Sequence, residues 1–99
     1  MIATVEYWYS FGKGDYGESY FEMEISEGDY ARIQEAEEEY EDFEDCEAVA
    51  DIYSRAYELA DEDATENLRA DGIIGKDERA RNKYPITVRY PWVWPGKEE

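Results

Sequence analysis

The sequence predicts an α+β fold: a three-stranded, mostly antiparallel sheet, first strand central, with helices packed on one face. Three observations carry that prediction. Apolar residues alternate with period two near both ends of the chain, and they recur at helical spacing through the middle. The order of these stretches, β-β-α-α-α-β, requires the last strand to return beside the first two. At 99 residues the chain is the size of one domain and can bury one core, so residues 1–99 are expected to form a single acidic unit.

Residues 2–11 open the fold as a strand, with Val5, Tyr7, Tyr9 and Phe11 on one side and Thr4, Glu6, Trp8 and Ser10 on the other. The stretch Gly12-Lys13-Gly14-Asp15-Tyr16-Gly17 supplies glycines suited to positive φ. Phe21, Met23 and Ile25 then alternate against Tyr20, Glu22 and Glu24, which makes the pair a hairpin.

Ser26-Glu27-Gly28-Asp29 has the form of a capping box, in which the serine oxygen accepts from the third residue and the acid reaches back. Tyr30, Ile33, Ala36, Tyr40 and Phe43 come next at helical spacing. A break is expected between Glu41 and Asp45, with Asp42 or Asp45 capping the second helix, whose stripe is Val49, Ile52, Tyr53, Ala56 and Leu59. Asp63 with Glu66 reads as the capped start of a short third helix that runs through Leu68 and stops at Gly72.

Residues 73–83 are a polar connection with room for one helical turn in 76–81. Ile86, Val88 and Tyr90 form the last strand, and the flanking Pro85 and Pro91 suit a sheet edge because proline cannot donate to a ladder. The face of the sheet away from the helices then carries Glu6, Trp8, Glu22, Glu24 and Arg89, positioned for cross-strand pairing. The tail Pro91-Trp92-Val93-Trp94-Pro95 is apolar enough to fold back over Trp8 as a minor core, with partner binding as the alternative.

Composition narrows the chemistry. There is no histidine, which removes histidine-dependent triads and metal sites, and the lone Cys46 can form no internal disulfide or cysteine cluster. Its neighbours Glu44, Asp45 and Glu47 oppose the negative charge of a reactive thiolate. Gly12-Lys13-Gly14 lacks the spacing of a phosphate-binding loop. Residues 61–67 place oxygen side chains like the start of a calcium loop, but Glu66 and Gly72 stand where glycine and a bidentate glutamate are needed. A carboxylate pair for glycoside hydrolysis would need a cleft that one small core hardly provides. The expectation is a protein that is not an enzyme, with no catalytic residues, no metal and no cofactor. No stretch has the roughly 20 apolar residues of a membrane span, and the first residues lack a signal-peptide pattern, so the expected location is the cytoplasm.

Charge is the dominant feature. Acidic side chains number 27 against 10 basic ones, a net charge of -17. Residues 1–50 hold 16 acids and 2 bases, whereas residues 51–99 hold 11 acids and 8 bases. Nucleic acid and anionic lipid would be repelled, and the natural partners are basic proteins. The density peaks in Glu35, Glu37, Glu38, Glu39, Glu41, Asp42, Glu44, Asp45 and Glu47, continuing to Asp51 with no basic residue among them. On one continuous helix these acids would lie roughly 2.5 Å apart along the axis, close to the ~1.7 Å per charge of duplex DNA. Tyr40 and Phe43 would supply aromatic anchors for an interface. A solvated face that serves solubility is the plain alternative, although such faces usually mix signs.

In size and charge the chain resembles the DNA-mimicking inhibitors of phages and mobile elements, anti-CRISPR and anti-restriction proteins among them. That resemblance of character implies an inhibitor that blocks the basic, nucleic-acid-binding surface of another protein, with residues 35–51 as the main contact. A cytoplasmic immunity protein against a nuclease toxin, a non-inhibitory acidic scaffold domain and adaptation to concentrated salt are the alternatives; against the last, the charge is concentrated in one half of the chain.

Overall fold

The computed structural model describes residues 1–12, 14–39 and 42–93, the side chains of Phe11 and Gly12 excepted. Its elements are β1 (Ile2–Gly12), β2 (Asp15–Glu24), α1 (Glu27–Glu39), two short 3-10 turns at Phe43–Asp45 and Glu47–Val49, α2 (Ala50–Ala70), α3 (Ala80–Lys83) and β3 (Ile86–Val88). The sheet is antiparallel throughout in the order β2-β1-β3, so the first strand is central, as the sequence predicts.

Alternation along β1 divides the sheet into two faces. Ala3, Val5, Tyr7 and Tyr9 are buried beneath the helices with Met23 of β2 and Ile86 and Val88 of β3. The opposite face carries Thr4, Glu6, Trp8 and Ser10 beside Glu22, Tyr20, Glu18 and Tyr16. The β1–β2 turn passes through Gly14 at φ 85°, but Gly17 is required for space instead. A Cβ there would stand 2.7 Å from the Tyr9 ring that crosses it.

The capping box forms as the sequence predicts: Ser26 Oγ accepts from Asp29 N–H at 3.0 Å, and Asp29 Oδ2 accepts from Ser26 N–H at 3.3 Å. The helical run is interrupted before Asp42, whose backbone is extended. Neither Asp42 nor Asp45 caps the second helix. Instead the 3-10 turns take up the main-chain donors, Cys46 N–H donating to Phe43 O and Val49 N–H to Cys46 O, and they deliver the chain into α2 without a side-chain cap.

The expected third helix does not exist as a separate element. α2 runs unbroken through Asp63, because Ile52, Ala56, Ala60, Ala64 and Leu68 continue one fully buried row at a spacing of four. The alanines let the helix axis approach the sheet closely. Asp61 and Thr65, polar residues within this buried side, are satisfied from outside the helix: Asp61 accepts from Arg79 and from Arg81 N–H at 3.0 Å, and Thr65 Oγ1 accepts from Ala80 N–H at 2.9 Å. Those bonds dock the start of α3 against α2. The predicted stop at Gly72 is observed, with φ 75°, Gly72 N–H donating to Arg69 O and Ile73 N–H to Leu68 O, the pattern of a Schellman terminus.

After β3, Trp92 exchanges main-chain hydrogen bonds with Thr4 at 2.7 and 3.0 Å, which extends the pairing beside β1. The described chain thus runs beside β1 to Trp92, and Trp94 and Pro95, part of the predicted cover over Trp8, lie outside the described residues.

Candidate partner-binding surface

The acidic tract begins on α1, whose buried side is Ile33 and Ala36. Glu35, Glu37, Glu38 and Glu39 occupy the remaining circumference, fanning over about 200° at the helical ~100° per residue. All four are exposed, as are Asp42, Glu44, Asp45 and Glu47 in and around the 3-10 turns. Tyr40 and Glu41 lie outside the described residues. Because the helical run is interrupted before Asp42, whose backbone is extended, the continuous duplex-like row of charge is not present. The acids form a compact lobe instead, folded around the turn between α1 and α2.

Phe43 corrects the expectation of an aromatic anchor. It is 2% exposed, packs edge-on against Tyr53 at 5.1 Å and lies tilted against Tyr90 at 4.9 Å, so it holds the turn to the core instead of projecting as an anchor. The period that placed Phe43 on a helix was correct about burial. Tyr90 spans the same junction, its hydroxyl donating to Asp42 O at 3.3 Å. Burial pushes the Tyr90 phenol above its ordinary pKa, and the negative charges of Glu37 and Asp42 push further in the same direction. Tyr53 is raised likewise, by burial first and then by Glu44.

Four arginines and one lysine of the described residues are engaged in ion pairs elsewhere. Arg32 donates to both carboxylate oxygens of Asp51 at 3.0 and 3.1 Å and to Asp29 at 3.1 Å, and Arg55 reaches Asp29 at 3.2 Å. These guanidinium groups hold the Asp29 and Asp51 carboxyls below the usual carboxylate range. Asp51, at the end of the predicted contact, is therefore neutralised and drops out of it. Arg79 pairs with Asp61, Arg81 with Glu58 and Asp61, and Lys83 with Glu78. Among the described residues, no ion pair reaches Glu35, Glu37, Glu38, Glu39, Asp42, Glu44, Asp45 or Glu47.

The lobe does not end at the turn. A groove of about 650 Å³ joins it to the open sheet face, lined by Glu37 and Asp42 on one side and by Glu6, Trp8, Arg89 and Trp92 on the other. Arg89, expected to pair across strands, lies with its guanidinium 5.8 Å over the Trp8 ring. The sequence places Glu6, Trp8, Arg89 and Trp92 on one face, but no local signal joins that face to Glu37 and Asp42. Among the described residues, no three acidic or cysteine side chains are gathered as a metal site, and no helix is long and apolar enough to cross a membrane.

No known family model matches the chain, and none of the curated proteins or solved structures compared with it matches either.

Proposed function

We propose that this protein binds a basic protein in the cytoplasm through the acidic lobe of residues 35–47 and blocks that partner's nucleic-acid-binding surface. One observation carries the reading: the described acids of the lobe are exposed and unneutralised while nearby arginines are committed to Asp29, Asp51, Asp61 and Glu58. Crowded like charges destabilise the turn that carries them. Their accumulation without compensating lysines fits a surface that becomes neutralised by a partner. The mechanism is steric and electrostatic, with negative charge speeding the encounter and the groove beside Trp8 and Trp92 adding contact area once docked.

The test reverses Glu38, Asp42, Asp45 and Glu47 together to lysine and measures capture of basic nucleic-acid-binding proteins over roughly 50 to 200 mM salt, with duplex DNA as competitor. The reading expects capture that DNA displaces and that the folded variant loses. Undiminished capture by a folded variant would remove the lobe as the contact.

A further inference from the structure

β2 is one of the two edge strands of the described sheet, ten residues long and free of proline. Its pairing register fixes which main-chain groups face outward. Thr4 exchanges both its main-chain bonds with Trp92, and Glu6 O accepts from Arg89 N–H, so the even residues of β1 are turned toward β3. The odd residues of β1 are then turned toward β2, where Val5 faces Phe21, Tyr7 faces Ser19 and Tyr9 faces Gly17. Tyr16, Glu18, Tyr20 and Glu24 therefore direct their N–H and C=O groups away from the sheet. Edge residues whose main-chain groups point outward in this way are a template for another strand.

Both sides of that edge have a chemistry. On the open face stand Tyr16 and Tyr20, 61% and 67% exposed, alternating with Glu18 and succeeded by Glu24. On the helix side, a groove of about 220 Å³ lies between β2 and α2, with Phe21 and Leu59 as its apolar floor and Glu62, Asp63 and Glu66 beside it. An incoming strand would place alternate side chains beside Tyr16, Glu18 and Tyr20 and the intervening ones in the groove. Carboxylates on both sides, with exposed phenol rings on the open face, suit lysine and arginine, whose stems cover apolar surface while their heads meet the acids. A second copy of this chain would bring together two molecules of net charge -17, which a basic segment would not.

We propose that the outer edge of β2 is a docking site for an extended, lysine- and arginine-bearing segment of a partner protein, which adds to the sheet as a fourth strand. This surface is separate from the acidic lobe, and either can fail without the other.

The probe is a synthetic peptide of about nine residues alternating lysine and valine, titrated into the isotope-labelled full chain. The expected result is shifted and exchange-protected amides at Tyr16, Glu18, Tyr20 and Glu24. The same peptide N-methylated on its pairing side keeps its charge but loses its main-chain donors, and is expected to bind about tenfold or more weakly. Glu18→Lys with Glu24→Lys is expected to weaken the unmodified peptide, whereas lysine substitutions at Glu38, Asp42 and Asp45 leave it unchanged. Equal binding of the two peptides, or shifts confined to residues 35–47, would overturn strand addition. Concentration-dependent shifts at the same β2 amides without peptide would overturn the choice of partner in favour of a second copy.

Discussion

Tyr7 is fully buried on the central strand, and its hydroxyl donates to Asp63 on α2, 56 residues away. Burial raises its pKa, and the hydrogen bond and charge of Asp63 raise it further. A phenol whose folded pKa exceeds its unfolded value of about 10 contributes stability that is complete below pH 10 and lost as pH rises beyond it. Tyr7→Phe is therefore expected to cost about 1.5 kcal/mol at neutral pH, the scale of a hydrogen bond to a charged acceptor. It should also flatten the alkaline decline. Urea denaturation of both chains at pH 7 and above pH 10 checks this, and an unchanged alkaline slope in the variant would exclude Tyr7 as its source. The alternation of β1 makes burial of Tyr7 legible in the sequence, but its partner Asp63 has the local signature of a helix cap, since the contact depends on α2 crossing the sheet.

At the scale of elements, the strands, hairpin, capping box and sheet order were legible because each has a local cause: period-two alternation, glycine at a turn, a serine three residues before an acid. The continuity of α2 was not. Its buried row passes through alanines, which carry little hydrophobic signal, and through Asp61 and Thr65, whose partners lie in residues 79–81. The interruption between α1 and α2 near Asp42 was legible, but the fate of Phe43 was not, because a buried aromatic and an interfacial one have the same spacing. Gly72 tests the far end of α2. Its φ is 75° and no atom lies within 4 Å of where a Cβ would stand, so Gly72→Ala introduces backbone strain and no clash. The expected loss is about 1 kcal/mol, measured by chemical denaturation. A neutral result would show that the helix terminus relaxes out of the left-handed region at no cost.

For the whole molecule the decisive quantity is the net charge of -17, of which the first fifty residues carry most. The described ion pairs, Asp61 apart, use side chains that keep contact with water, and such pairs contribute little. Repulsion within the acidic lobe therefore outweighs attraction, and added salt should stabilise the fold by screening it. The Debye length falls from about 30 Å at 0.01 M to about 3 Å at 1 M, shorter than the span of the lobe. Relief of about 1 kcal/mol would raise Tm by roughly 4–8 °C in a chain of this size. Partner binding through the lobe must move the other way, weakening over the same range, because there the screened interaction is attractive. Thermal melts and binding titrations across one salt series separate the two. If the melting temperature falls as salt rises, the ion pairs dominate the fold and the lobe is less strained than its charge implies. If binding is insensitive to salt, charge does not hold the complex, and neither the lobe nor a basic strand on the β2 edge is the contact.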